Sequence, residues 1–501
     1  MKYLLAHDLG TSGNKATLFS LDGELVDSRT SAYDTCYSNG NWAEQNPDDW
    51  WKAVCESTRE LMQGRDAGEI SSVCFSGQMM GCLPVDKQGV PLRNHILYCD
   101  QRSTAQTDQL LEKISPEDIY RITGHRPSAV YAIEKLMWVR DNQPDIYKNT
   151  WKMLNAKDYI NFRLTGRMVT EHNDASGANA FDIKTLDWSD PILKAAGISR
   201  DKLPESVPST TVIGEITGEA AAATGLKKGT PVVAGAGDGG CATVGIGSVK
   251  PGITYNYLGS SSWISTTSLE PVNDPEMRTF TWVHPVPGYL QPCGSMQTAG
   301  SSYAWLKNQI ARAETLEAEK TNTGVYKLID KLVEESPPGA NGILFLPYLL
   351  GERSPRWNPD AKGAFIGLSL EHKRADLFRS VLEGVTQNLG IILDIFKQEI
   401  PIKDILVIGG GAKGPVWRQI MADIYGIPVL VPKYLEEATS MGAAIIGGVG
   451  TGVLKSFDEV EKYIQIMKTT HPIPENVELY KNIRPLFDEA YFSLENLFSR
   501  L

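Results

Sequence analysis

The chain has 501 residues, 42% hydrophobic and 22% charged, with a formal net charge of −11. That length predicts two to four domains of about 100–200 residues in a folded globular chain. The acidic balance argues against non-specific nucleic-acid binding, which needs a basic stripe, and no apolar run reaches the roughly 20 residues of a membrane helix.

The opening stretch predicts a strand from Tyr3 that carries Asp8 at its end, a loop of Gly10, Thr11, Ser12 and Gly13, and a second strand from Lys15 to Ser20. Asp22-Gly23 reads as a tight turn into a third strand. A carboxylate at the lip of a donor-rich loop suits a nucleotide phosphate with a bound cation. A plain hairpin with a Gly-rich turn is the alternative. Asp8 also breaks the first apolar run too early for a signal peptide. The seven cysteines form no close CxxC pair. They read as free thiols of a reducing compartment, so the expected setting is the cytoplasm.

Pro47, Asp48 and Asp49 predict a helix running to about Met62. Trp42, Trp50 and Trp51 read as packing residues. Ile70–Ser76 is a buried strand whose loop, Gly77-Gln78-Met79-Met80-Gly81, lies at the strand end where open α/β sheets bind ligands. Asp100 and Arg102 follow another apolar run and could equally form a local ion pair or cap. A helix is expected from Ser103 through Leu110. Residues 128–200 read as mostly helical, with few marks of chemistry, as an inserted cap over the sheet.

Thr230–Ala234 is a strand, and Gly235–Gly240 reads as a flexible loop. Asp238 stands there among glycines 235, 237, 239, 240 and 245, which leave its carboxylate uncrowded. It is the strongest candidate for a general base. Residues 254–266 then repeat the opening: strand, Gly259-Ser260-Ser261, strand. A duplicated plan follows, with two phosphate-type loops facing each other across a cleft; two unrelated hairpins are the generic alternative. Helices are expected near Gly300–Ile310 and from His372, with a charged exposed stretch at 311–322. The strand Ile402–Ile408, the turn Gly409-Gly410-Gly411-Ala412-Lys413-Gly414 and a helix through Tyr425 form a plausible nucleotide contact. The turn lacks the Gly-Lys-Ser/Thr ending of a Walker A loop. A small-residue helix starts near Glu437, and the last 50 residues read as helical closure.

These residues carry a family likeness. Gly363-x-Phe365-x-Gly367-Leu368, seven residues, then Asp376-Leu377-x-x-Ser380-Val381-Leu382-Glu383 fits the C-terminal signature of the FGGY carbohydrate kinases. The chain resembles their xylulokinase-like branch from Asp8 to about Gly450. Lys135-Leu136-Met137-Trp138-Val139 fits the other signature in part, with departures at Val130 and Ala132. The resemblance implies an α/β fold of two actin-like (ribonuclease H-like) ATPase domains with a cleft between them. The expected division is 1–248 on the sugar side, with the helical insertion, and 249–501 on the nucleotide side.

It further implies ATP and Mg²⁺ as cofactors and a small sugar or polyol as partner, with no nucleic acid and no membrane; a homodimer is left open. Gly10, Thr11, Ser12 and Lys15, then Gly259, Ser260 and Ser261, then Gly410, Gly411 and Ala412 match nucleotide-binding positions. Asp8 matches the acid beside magnesium, and Asp238 the catalytic base. Gln78, Met79, Met80, Asp100 and Asp238 match substrate positions. Xylulokinases usually carry Gly-Gln-Met-His-Gly, so Met80 removes a polar contact to the sugar, and Tyr98 opens a segment that usually begins with Trp. The implied reaction is phosphorylation of D-xylulose to D-xylulose 5-phosphate, with gluconate or another pentulose or polyol as the alternative. A non-enzymatic actin-like sugar sensor is the alternative of a different class. A dehydrogenase is disfavoured, because the glycines at 409–411 come late and lack the full dinucleotide fingerprint.

Overall fold

The computed structural model describes residues 2–433 and 437–501. Two sheets organise it, one in each α/β lobe. In the first, the order is Val212–Glu215, Pro231–Gly237, Ile70–Gly77, Tyr3–Leu9, Gly13–Ser20, Leu25–Ala32. Tyr3–Leu9 pairs antiparallel with Gly13–Ser20 and parallel with Ile70–Gly77. In the second sheet Thr254–Leu258 pairs antiparallel with Ser262–Thr266 and parallel with Ile405–Ile408, itself parallel to Val429–Pro432. The duplication visible at 10–12 and 259–261 is therefore also one of topology. Among the described residues no helix is long and apolar enough to cross a membrane.

The first sheet is covered on both faces, and strand alternation shows how. Leu5 and Leu9 point into a core with Trp50, Val54, Tyr159 and Ile160. Leu4 and Ala6 point the other way, to Val244, Met441 and Ile445. The helix Pro47–Met62 on the first face has the predicted bounds. Asn46 caps it by accepting from the Asp48 N–H at 3.1 Å, and Asp48 and Asp49 complement its dipole.

The opposite face is covered by Asp238–Gly245 and by Ala438–Gly450, a helix from the far end of the chain. The two touch through their backbones. A Cβ on Gly442 would lie 1.8 Å from the Cys241 carbonyl oxygen, and one on Gly245 would lie 1.9 Å from that of Ala438. Only glycine permits this approach.

Three expectations change. Residues 235–240 are not a flexible loop: the strand runs Pro231–Gly237 and a helix begins at Asp238. Gly235, at φ 81°, presses on Phe75, where a Cβ would lie 2.1 Å from its carbonyl oxygen, so close packing rather than mobility calls for glycine. The last 50 residues are not only helical. Ile466–Thr470 forms the edge strand beside Val429–Pro432 before the helix Pro474–Phe498. The insertion also does more than cap. Its core, with Ile133, Leu136, Phe181 and Ile192, takes in Val283 and Leu290 of the second sheet. Tyr120 Oη donates to Thr279 O at 3.0 Å, and Thr281 N–H to Gly124 O at 2.9 Å.

Candidate functional site

The first hairpin loop hides its acceptors and presents its donors. Tyr33 Oη donates to Gly10 O, Gln45 Nε2 to Thr11 O at 2.6 Å, and Tyr33 N–H to Ser12 O at 3.2 Å. Among the described residues nothing accepts from the N–H groups of Thr11 or Ser12. The second loop repeats this. Gly300 N–H donates to Gly259 O at 2.9 Å, Ala299 and Ser301 N–H donate to Ser260 O at 3.0 Å, and the N–H groups of Gly259, Ser260 and Ser261 have no acceptor among the described residues. Free N–H groups beside tied carbonyls make cradles for anionic oxygen.

The third segment sits differently. Arg418 Nη1 donates to Ala412 O at 2.6 Å and Lys413 O at 2.9 Å, and Ala412 is fully buried. A Cβ on Gly411 would lie 2.3 Å from Leu258 Cδ2. Gly411 and Ala412 thus seat the turn against the strand that leads into Gly259, and Gly410 alone of the three has open space around its Cα. Lys15 is half-exposed, with Nζ 3.4 Å from Glu437 Oε1.

Strand register gathers the two candidate acids. Asp8 pairs with Ser76, Leu9 with Gly77, and Gly77 with Gly237, so Asp8, Gln78 and Asp238 leave the sheet at one end. Asp8 accepts from Ser76 Oγ at 3.0 Å and from Thr439 Oγ1 at 2.8 Å. Burial pushes its carboxyl up, against those two hydroxyls. Asp238 opens its helix and accepts from the Gly239 N–H at 2.7 Å. Asp238 is exposed to solvent, and protein packed near its carboxyl costs it part of its hydration. That loss, and then the charge of Asp8, push it up to about 6.

The substrate-side positions form a largely apolar wall. Gln78 is buried; its Nε2 donates to Gln45 Oε1 at 2.7 Å, and its Oε1 has no partner among the described residues. Met79 lies under Gly237, where a Cβ would fall 2.3 Å from its Sδ. Met80 has the left-handed φ of 62°, and its carbonyl accepts from Lys135 Nζ at 2.8 Å. Met79, Tyr131, Trp282 and Cys293 form one cluster with Met80 against it. Asp100 has no open lone pair in this structure. Its Oδ1 accepts from Arg102 N–H and Nε, both at 2.9 Å, and its Oδ2 from Ala43 N–H at 2.6 Å and Arg102 Nη2 at 2.7 Å. The local ion pair is what the geometry shows, and Arg102 lies over the Trp42 ring at 3.9 Å.

Several residues escaped the sequence. Thr439, which reaches Asp8, heads a helix whose small residues signalled only packing. Asn173 lies in a stretch that carried no signal. Its Oδ1 accepts from the Gly237 N–H at 3.1 Å and its Nδ2 donates to Val283 O at 2.6 Å, so it ties the residue before Asp238 to the second lobe. Beneath it Glu171 accepts from the N–H groups of Asn173 and Asp174, both at 2.8 Å. Lys157 Nζ lies 2.7 Å from Asp158, 3.2 Å from Asp174 and 3.6 Å from Glu171, all deeply buried. A Cβ on Gly77 would fall 2.6 Å from Lys157 Cβ, so this cluster supports both strand ends. Asn173→Ala orphans one N–H and one C=O, and urea unfolding is expected to show a loss of about 1–3 kcal/mol for each buried group. A change below about 0.5 kcal/mol, the usual range for surface substitutions, would remove the bridge from the account.

The model of the FGGY family of carbohydrate kinases, N-terminal domain, matches residues 3–245, and that of its C-terminal domain matches 254–451. The gluconokinase of Bacillus licheniformis is 32% identical over 505 residues, covering 100% of this chain and 97% of its own. The xylulose kinase of Bacillus subtilis (strain 168) is 32% identical over 501 residues, covering 99% and 98%. The crystal structure of ligand-bound xylulose kinase from Lactobacillus acidophilus superposes with a TM-score of 0.93 at 26% identity, covering 100% of both chains.

Proposed function

The chain belongs to the FGGY family of carbohydrate kinases, and from that premise we propose that it transfers the γ-phosphoryl group of ATP to a hydroxyl of an open-chain sugar. The resemblance points to D-xylulose, giving D-xylulose 5-phosphate. The observation that carries the reading is the pair of matching hairpins with free N–H groups, one in each lobe, the first of them beside Asp8 at the sheet end that also delivers Asp238. A sugar sensor has no need of two such cradles and two such acids.

In this reading the sugar hydroxyl lies against Asp238. The new O–P bond forms as the bond from the γ-phosphorus to the β-γ bridging oxygen breaks, ADP leaves with that electron pair, and Asp238 accepts the hydroxyl proton. The loops at 10–12 and 259–261 hold phosphate oxygens in line with the acceptor, and Gly410 lies toward the adenine side. Closing the lobes excludes water and limits hydrolysis.

No group of three or more metal-ligating side chains occurs among the described residues. Asp8 nevertheless fits Mg²⁺, which is commonly held by one or two carboxylates, waters and substrate phosphates. Two hydroxyls orient its carboxylate, and its proximity raises Asp238, so a cation there relieves like-charge repulsion. Bound Mg²⁺ would supply charge neutralisation for the phosphates. We assign the first lobe, 1–248, to the sugar and the second, 249–501, to the nucleotide. We place the protein in the cytoplasm on its seven free cysteines.

Gluconate is the second reading, favoured by the apolar Met80 wall, which offers less to a ketose hydroxyl. An ATP-consumption screen across xylulose, ribulose, gluconate, glycerol and erythritol tests both. Acceptor-dependent ADP release is expected for one of the first three, and none across the panel would defeat the kinase reading.

A further inference from the structure

Most arginines around the acceptor wall are paired. Arg278 binds Asp274 at 2.7 Å, Arg356 binds Asp488, and Arg102 binds Asp100. Two are not. Among the described residues no hydrogen bond or ion pair reaches the guanidinium of Arg353, whose Nε is buried and unsatisfied. Arg126 is half-buried, and among the described residues its partner is the Trp357 ring, 5.6 Å away.

The two come from opposite lobes and flank the same cluster. Arg353 belongs to the loop whose Ser354 Oγ lies 3.0 Å from where a Cβ on Gly294 would sit. Gly294 follows Cys293, which packs with Met79, Tyr131 and Trp282. Trp357 of the same loop carries Arg126. The preceding residue, His125, meets Trp282 edge-on with ring centroids 4.4 Å apart. Tyr131 and Cys293 of that cluster, and Tyr98, which also feels Asp238, lie within electrostatic reach of Arg353.

Among the described residues no carboxylate is hydrogen-bonded to the Arg353 guanidinium. Its chain neighbour Glu352 spends its oxygens on the N–H groups of Gln297 at 2.8 Å and Arg353 at 2.9 Å and on Asn388 Nδ2 at 3.1 Å. Burial pushes that carboxyl up to about 8. A half-buried guanidinium kept without a carboxylate is suited to a ligand's planar anion, which it binds in a two-pronged fork.

We propose that Arg353 and Arg126 form the anion-recognising end of the acceptor pocket, and that the acceptor is an open-chain sugar acid whose carboxylate they hold while a hydroxyl of the same chain meets Asp238. This rests on the kinase reading above and selects the acid over the ketose. The apolar wall of Met80, Tyr131 and Trp282 then lies between the two polar ends.

The test compares kcat/KM for D-gluconate with that for D-glucitol, a neutral chain of equal length, and with that for D-xylulose. Gluconate is expected to exceed glucitol by at least about 30-fold, the smallest ratio usual for a desolvated charge pair. Arg353→Gln and Arg126→Gln are each expected to lower that ratio about tenfold or more, chiefly through KM for the acid, with Arg353→Lys retaining part of it. Turnover of glucitol or xylulose equal to that of gluconate overturns the proposal and leaves the kinase reading standing. Equal losses for acid and neutral acceptors in Arg353→Gln, with a raised KM for ATP, also overturn it and place Arg353 on the phosphates. If no acceptor supports ADP release, the kinase reading falls, and calorimetry still decides the anion end. Gluconate heat that is lost in Arg353→Gln supports it, and no heat with the unmutated protein overturns it.

Discussion

Asp238→Asn is expected to lower kcat by about 10²–10⁴-fold, the usual worth of a positioned general base, without loss of the fold. The carboxyl stands at about 6 because protein packed near it costs it hydration and Asp8 lies near, and a base must be ionised to accept a proton. The unmutated protein should therefore gain kcat/KM as pH rises to about 6 and then level off, and the variant should lack that limb. Stability moves the other way. The folded carboxyl titrates above its unfolded value, so as pH rises from about 4 to about 6 the unfolded chain releases its proton first and the folded state loses ground. Above that window the charged side chain is a fixed cost that Asn removes. The variant should thus melt at or above the temperature of the parent at pH 8 and together with it at pH 4. A pH–rate profile with melts at both pH values checks this, and unchanged turnover with the acid limb intact would sink the assignment.

Lys157→Met should produce the largest loss of stability of any single change considered. Its ammonium is fully buried among Asp158, Asp174 and Glu171. Burial opposes that charge, but the three carboxylates outweigh it and hold the ammonium well above its ordinary range. Removing one partner from a buried ion cluster costs about 3–5 kcal/mol, or roughly 6–20 °C in Tm for a lobe of this size. The sign with pH follows from the acids left behind. Burial already pushes Glu171 and Asp174 up, and loss of Lys157 pushes both further. Acids raised in the folded state destabilise it increasingly as pH climbs above their unfolded range near 4. The deficit should be greatest at pH 8 and shrink toward pH 5, read by urea unfolding across that range. A loss under about 1 kcal/mol, no larger than an exposed ion pair is worth, that does not vary with pH would refute the cluster's role.

What the sequence made legible was local. Asn46-Pro47-Asp48-Asp49 marks a helix start by its own chemistry, and the helix runs where expected. Both hairpins were readable because a strand, a short Gly/Ser loop and a strand are contiguous. Asp238 stood out through its glycine neighbours, although those glycines serve packing against Phe75, Met79 and Asn173 rather than freedom of motion. Contacts between distant segments left no local trace. Thr439 meets Asp8 across 431 residues, and Asn173 meets Gly237 across 64. Lys157 and Asp174 lie in helices and Glu171 ends the strand Val169–Glu171, in a stretch that reads as mostly helical, where charged residues ordinarily mean a solvated face. Asp100 and Arg102 had two equal local readings, and the filled oxygens of Asp100 show which of them this conformation adopts.

The crossing of Gly442 on Cys241 has a consequence for how the chain can be divided. The coding sequence reads as two copies in tandem, yet the second copy lends a helix to the floor of the first. A fragment ending at residue 248 would leave Leu4, Ala6, Phe19 and Val233 facing water where Met441, Ile445 and Phe457 now lie. Two fragments split between the copies would have to find each other again to restore that face, whereas a nick in an exposed loop within either copy would leave it whole. The copies are interlaced, and the smallest piece that carries a finished first lobe is nearly the entire chain.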